Sequence, residues 1–261
     1  MVSARKIRLD ELLVRLGLAS DRHQAGAFIG AGKVLVNDSP ADKAGTAYDE
    51  RCIVRLKAEK KYVGRGGEKL AAALDGFGLA PTGMICADIG CSTGGFTDCL
   101  LQNGARLVYC VDVGYGVLDW KLRQDKRVVV LERTNARYLS REQIPLSLDL
   151  AVLDASFISL AKLLRPLLLL FGESIRILAL VKPQFELPRH KVGQGGVVHD
   201  SFLHEEAVAK VLAHAEEIGL QSLGVVASPI TGAKGNREFL VLLQGSSVEV
   251  IGKLPAEITD N

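Results

Sequence analysis

Residues 87–100 read ADIGCSTGGFTDCL, and they follow an apolar run that begins at residue 84. The run has strand length and places Asp88 near its end. Gly90, Gly94 and Gly95 then free the backbone for a tight turn and a close approach to a ligand before a helix begins. Outward from this turn, strand-length apolar runs recur at 107–111, 128–131, 148–153 and 175–181, separated by helical or loop-like segments. Continuous apolar runs alternating with helices predict parallel strands buried on both faces. A long helix over 201–218 precedes runs at 220–227 and 239–243. The loop SPITGAKGN joins these two runs, which predicts a terminal antiparallel pair. The fold class is therefore α/β: a Rossmann-like, seven-stranded, mostly parallel sheet with a reversed final strand.

The turn is neither the G-x-G-x-x-G of a nicotinamide enzyme nor a P-loop, since no Gly-Lys-Ser/Thr follows. A dinucleotide brings an anionic pyrophosphate to a helix N-terminus. S-adenosylmethionine brings an amino-acid tail and a sulfonium instead, and the residues suit that group better. Asp88 and the loop backbone can hold an ammonium, and Ser92 and Thr93 add polar contacts. Asp112, closing the next strand in YCVDVG, can accept from both ribose hydroxyls. Asn135, after the third strand, is placed to read an adenine edge. Gly90, Gly94, Gly95, Phe96 and Val113 complete the predicted cofactor set. A seven-stranded sheet with its last strand reversed is similar to the class I methyltransferases.

The hydrophobic fraction of 48% supports a substantial core, and the net charge of +2 conceals an asymmetry. Residues 1–69 hold fourteen Lys/Arg against nine Asp/Glu, a local +5, while the remainder has eighteen against twenty-one. Such a front end suits a polyanion. Within it, Leu9, Leu12, Leu13 and Leu16 recur at helical spacing before Gly17. Ser20 can cap a second helix bearing Ala25, Phe28 and Ile29. A short strand at 33–36, an Asn37-Asp38 turn and a strand at 52–56 follow. Two short helices and the phrase GKVLVND resemble the S-four-type RNA-binding domain. That resemblance implies RNA contacts from Arg5, Lys6, Arg8, Arg22 and Lys33, chiefly to phosphate and RNA shape. The boundaries read as 1–58 for this domain, 59–67 for a glycine-rich linker, 68–245 for the larger domain and 246–261 for a tail.

Four polar residues stand at strand or helix ends: Lys69, Asp154, Lys182 and Glu238. Ligands of open α/β sheets bind beyond the carboxyl ends of the strands, so Asp154 and Lys182 should face the cofactor's crevice. Their order, with DIGCSTGGFTD and VDVGYG, resembles the lysine–aspartate–lysine–glutamate tetrad of the FtsJ-like ribose 2′-O-methyltransferases. Together with the first domain, the segments RGGEKL, LERTNAR, LDASFISL and LVKPQFE resemble the TlyA family over residues 5–243. The resemblance implies S-adenosylmethionine as cofactor, a ribosomal RNA or ribosomal subunit as partner, and a cytidine ribose hydroxyl as methyl acceptor. Lys182 would accept the hydroxyl proton or steer the oxygen lone pair, with Asp154 fixing its direction. Glu238 would hold Lys69 or the ribose. Arg65, Arg189 and Lys191 would touch RNA near the site, the last two from the polar loop 186–200.

Other functions remain open on the sequence. The family name haemolysin suggests a membrane-acting protein, but the N-terminal residues show no signal core, and Lys162 and Arg165 break the longest apolar stretch. A non-catalytic RNA-binding assembly factor would not need the tetrad. A pseudouridine synthase shares the front domain but has no use for the DIGCSTGG turn. Five cysteines without CxxC spacing point to reduced thiols, a cytoplasmic location and no metal site.

Overall fold

The computed structural model describes residues 5–57 and 61–247, and the chain divides into two compact units between Lys60 and Lys61. The expected tail from 246 lies almost wholly outside the described residues.

In the first unit, β1 (Lys6–Arg8) leads directly into α1 (Leu9–Arg15), and α2 (Arg22–Gly30) packs on α1 through Leu9, Leu13, Ala25 and Ile29. Strand β2 (Val34–Val36) lies between β3 (Ser39–Pro40) and β5 (Val54–Leu56), while β4 (Ala47–Asp49) pairs antiparallel with β1. Asn37 and Asp38 both have positive φ, 48° and 65°, as a tight two-residue hairpin turn requires and as Asn and Asp tolerate. Asp21, rather than the predicted Ser20, caps α2: its carboxylate accepts from the backbone N–H of Gln24 at 2.8 Å. Both residue types cap well, and only the backbone decides between neighbours. The expected strand at 52–56 is confined to Val54–Leu56.

Residues 61–67 are not linker. Tyr62 is buried in the core of the second unit, the Val63 N–H donates to Asp98 Oδ2 at 2.9 Å, and Gln102 Nε2 donates to the Lys61 carbonyl at 2.9 Å. The glycines of this stretch serve close packing: any side chain at Gly67 would collide with the Tyr62 ring. Helix α3 begins at once, over Gly66–Gly76.

Seven strands form one sheet in the second unit. They are β6 (Ile85–Ile89), β7 (Leu107–Val111), β8 (Val128–Leu131), β9 (Leu150–Leu153), β10 (Ser174–Val181), β11 (Gln221–Ala227) and β12 (Phe239–Ser246), in the order β11-β12-β10-β9-β6-β7-β8. Strands β6 to β10 run parallel, and β12 is antiparallel to both β10 and β11. Alternate residues explain the unbroken apolar runs. Ile85, Ala87 and Ile89 join one core with α6 (Ala161–Leu168) and α8 (Ser201–Glu217), while Cys86, Val108 and Val152 join another with α3, α4 (Gly95–Gln102) and α5 (Trp120–Arg123). With both faces covered there is no polar alternation to read. Lys162 and Arg165 fall on α6, and among the described residues no helix is long and apolar enough to cross a membrane.

The chain starts the sheet at β6, builds β7 and β8 to one side, and then returns to β9 on the other side. This reversal of order opens a crevice between β6 and β9 at their carboxyl ends. Gly90 sits there at φ 82°, where an added Cβ would approach the Asp154 carbonyl to 2.8 Å. The close approach and the left-handed backbone both require glycine.

Candidate active site

Two adjoining cavities occupy the crevice. The larger, about 420 Å³, is lined by all four tetrad residues together with Asp88 and the loop Gly90–Thr93 among others. The second, about 310 Å³, is lined by Asp112, Val113, Asn135 and Ile158 among others, and shares Gly90, Ser92, Asp154, Ser156 and Phe157 with the first. Both fall within the size range of small-molecule sites.

Each tetrad lysine meets one tetrad carboxylate. Lys69, on the second turn of α3, donates to Glu238 Oε2 at 2.5 Å across 169 residues of sequence, and both are buried. Glu238 stands one residue before β12, where the loop after β11 delivers it. Lys182 ends β10, just before Pro183 opens α7 (Pro183–Glu186), since proline favours the first helical position. Its Nζ lies 2.6 Å from Asp154 Oδ1, at the end of β9, and donates to Ser156 Oγ at 2.9 Å. Two neighbouring parallel strand ends thus hold the Lys182 nitrogen in a fixed direction.

Asp88 is fully buried. Its Oδ2 accepts from the backbone N–H and the hydroxyl of Thr97, at 2.9 and 2.7 Å, while Oδ1 has no partner, and the residue lines the larger cavity. Burial pushes its carboxyl up to about 7, only partly countered by the Thr97 bonds. An orphaned acceptor of this kind is costly unless a ligand supplies a donor. Asp112 is differently built. Its Oδ2 accepts from the Ser92 N–H at 2.8 Å and its Oδ1 from the Gly114 N–H at 2.7 Å, so its orientation is fixed and lone pairs remain for hydroxyls. The first of these bonds also pins Ser92, whose φ is 48°. Asn135 Oδ1 accepts from the Arg137 N–H at 3.1 Å, capping a short turn at the rim of the second cavity.

Thr93, Gly95 and Phe96 line the larger cavity, and the exposed Val113 lines the second. Gly94 lines neither. It packs at φ 93° against Leu118 and Leu122, so its part is to shape the turn. The Cys91 thiol is held far above its usual range by the neighbouring Cys110 thiol and by burial, and all five cysteines are free.

Of the expected RNA contacts on the second unit, Arg65 lines the larger cavity and is exposed. Arg189 and Lys191 lie in a single turn of 3₁₀ helix and line neither cavity, and Lys191 pairs with Glu206 at 2.6 Å. In the first unit, Arg5, Lys6, Arg8 and Arg22 are exposed, and Lys33 lies 6.0 Å from the Phe28 ring centre. Arg8 and Arg22 converge on buried Asp10 at 3.0 and 2.8 Å, and hydrogen bonding from Arg8 leads the effects that hold the Asp10 carboxyl down at about 2.

Among the lining residues that escaped sequence reasoning are Ser156, Phe157, Gln184 and Phe185. Phe157 is 91% exposed, has φ 64°, and packs on Phe185 with ring centres 5.1 Å apart. A signal existed for Phe157, an aromatic four residues past the end of a buried strand, where the chain turns into the crevice.

Known proteins carry the same pattern. The model of the FtsJ-like methyltransferase family matches residues 62–245, and that of the S4 domain matches residues 7–50. The chain is 49% identical over 243 residues to the 16S/23S rRNA (cytidine-2′-O)-methyltransferase TlyA of Mycobacterium tuberculosis, covering 92% of this chain and 91% of that one. It is 38% identical to hemolysin A of Brachyspira hyodysenteriae, covering 90% and 98%. A solved structure from Streptococcus thermophilus, described as a candidate hemolysin, superposes with a TM-score of 0.71 at 41% identity over 96% of each chain. The chain therefore belongs to the TlyA family, FtsJ-like methyltransferases that carry an N-terminal S4 domain.

Proposed function

We propose that this enzyme transfers the methyl group of S-adenosylmethionine to the 2′-hydroxyl of a cytidine ribose in ribosomal RNA. The observation that carries the reading is one cavity holding both lysine–carboxylate pairs and the unpartnered Asp88 oxygen. The residues fit the cofactor. Asp88 Oδ1 would take its ammonium, Asp112 its ribose hydroxyls, and the second cavity with Asn135 its adenine. When bound, the cofactor supplies an electrophilic methyl on a sulfonium, so no metal is called for.

The chain's own work is alignment and proton handling. Asp154 and Ser156 fix the direction of Lys182 Nζ, which meets the 2′-oxygen, orients its lone pair toward the methyl and takes the proton as the new bond forms. To take that proton, Lys182 must enter as the neutral amine. Glu238 and Lys69 form the opposite wall and hold the ribose in register. The exposed Phe157, tilted at 49° against Phe185, offers an aromatic face to a nucleobase at the mouth. In the first unit, Asp10 fixes the Arg8 and Arg22 guanidinium groups, which would grip phosphates of structured RNA.

The names of the relatives divide between methyltransferase and hemolysin. No described helix offers a membrane span, whereas the methyltransferase reading uses both lysine–carboxylate pairs, Asp88 and Asp112. The test is to treat ribosomal RNA with enzyme and cofactor, digest it to nucleosides and locate the added methyl on ribose or base by fragmentation. The expected product is 2′-O-methylcytidine. A cytidine methylated on its base would refute the ribose assignment.

A further inference from the structure

Among the described residues, three buried side-chain polar atoms lack a hydrogen-bond partner, and two of them belong to residues that line the larger cavity. One is Asp88 Oδ1. The other is Gln184 Oε1, on the short helix α7 between Lys182 and Phe185. Its orphan oxygen is not explained by the cofactor or the tetrad, and a buried acceptor without a donor persists in a native structure for a reason.

The candidate donors can be counted. The cofactor brings an ammonium, two ribose hydroxyls and an adenine amine. On the reading above, Asp88 takes the ammonium, while the hydroxyls and the amine belong to the second cavity, which Gln184 does not line. A nucleotide inside an RNA chain has its 3′ and 5′ oxygens esterified, so it brings two kinds of donor. Its 2′-hydroxyl proton belongs to Lys182. What remains, for a cytidine, is the exocyclic N4 amine.

We infer that Gln184 Oε1 accepts a hydrogen bond from the N4 amine of the target cytosine, making Gln184 a specificity-determining residue. The inference rests on the proposed cytidine reaction. Uridine presents a carbonyl oxygen at that position, so the Gln184 oxygen in the orientation seen here would meet a second acceptor and find no donor. The tilted Phe157–Phe185 pair supplies affinity for any base, because every base has a face to stack. Gln184 supplies the choice between the two pyrimidines. Phe185 follows Gln184 directly, so one short helix carries both a stacking ring and an edge-reading amide.

The test is a two-by-two cycle with the full-length enzyme. Wild type and Gln184→Met, an unbranched side chain without an amide, are each given ribosomal subunits carrying cytidine or uridine at the methylated position. Methyl transfer is read as kcat/KM, and S-adenosylhomocysteine binding is measured alongside. Wild type is expected to favour cytidine by on the order of tenfold to a hundredfold. In Gln184→Met that preference should shrink to within about threefold, mainly by loss on cytidine, with cofactor affinity unchanged. A variant that is slower on both substrates with the preference intact would show a merely structural role and overturn the inference. So would loss of cofactor binding in both Gln184→Met and Gln184→Leu. A wild type that methylates no ribosomal RNA would instead remove the reading beneath it.

Discussion

Cofactor affinity should depend on pH through Asp88. The side chain is completely buried, its carboxyl is raised to about 7, and Oδ1 has no internal donor. Below that value the free enzyme holds Asp88 neutral, and binding an ammonium there requires the proton to leave. Apparent affinity for S-adenosylhomocysteine, which has the same amino-acid tail, should therefore fall by about fivefold from pH 7 to pH 6 and by nearly tenfold more to pH 5. The same pKa has a consequence for the unliganded fold. An acid whose folded pKa lies above its unfolded value binds more protons when folded, so its contribution to stability declines as pH rises from about 4 to about 7. The span corresponds to an upper bound of about 4 kcal/mol. Saturating cofactor should remove that slope. Titration calorimetry in buffers of differing ionisation heat counts the protons directly, with nearly one released at pH 6 and about half at pH 7. Asp88→Asn should bind about 10- to 150-fold more weakly at neutral pH, the worth of a charge-assisted bond, and show no pH dependence. Constant affinity between pH 5.5 and 8 with no proton released would refute the assignment of the ammonium to Asp88.

Three further outcomes follow from the geometry. Glu238→Ala strands the buried Lys69 ammonium, so the second unit should lose about 3–5 kcal/mol, visible as a melting temperature lower by roughly 6–20 °C; an unchanged melt would mean that the pair is not buried in solution. Gly90→Ala puts a Cβ on a left-handed residue against the Asp154 carbonyl, and calorimetry should find cofactor binding lost or reduced by more than about tenfold. Arg22→Ala should weaken RNA binding and reduce its dependence on log salt concentration by about one, with cofactor affinity unchanged.

How much of this was legible beforehand depended on the kind of signal. The sheet could be read because β6 to β10 are apolar without alternation, which marks strands covered on both faces. Asp88, Asp112, Asp154 and Lys182 could be placed because each punctuates the end of such a run. The pairing of Lys69 with Glu238 could not be read from spacing, since it closes across 169 residues and depends on where the loop after β11 lands. Gln184 and Phe157 carry no periodicity, and their significance lies in an unpaired atom and an exposed ring, which are properties of the folded chain. The misread linker has a similar cause: glycines around Tyr62 and Val63 suggested freedom, whereas they admit close packing. In the first unit, strands of two or three residues are too short to show alternation, so β1, β3 and β4 went unseen. Gly94 was grouped with the ligand-facing glycines by spacing alone, and only the Leu118 and Leu122 contacts reveal that it faces the core.

The central claim is methyl transfer to RNA through the Lys182–Asp154 pair. Its most direct test is to incubate the protein with methyl-labelled S-adenosylmethionine and separated small and large ribosomal subunits, beside Lys182→Ala. Label is expected in ribosomal RNA with the wild type, as a 2′-O-methyl nucleotide, and not with the variant, which should still bind cofactor. Equal labelling by the variant with an unchanged pH profile, or no label in either subunit, in intact ribosomes or in naked RNA, would contradict it.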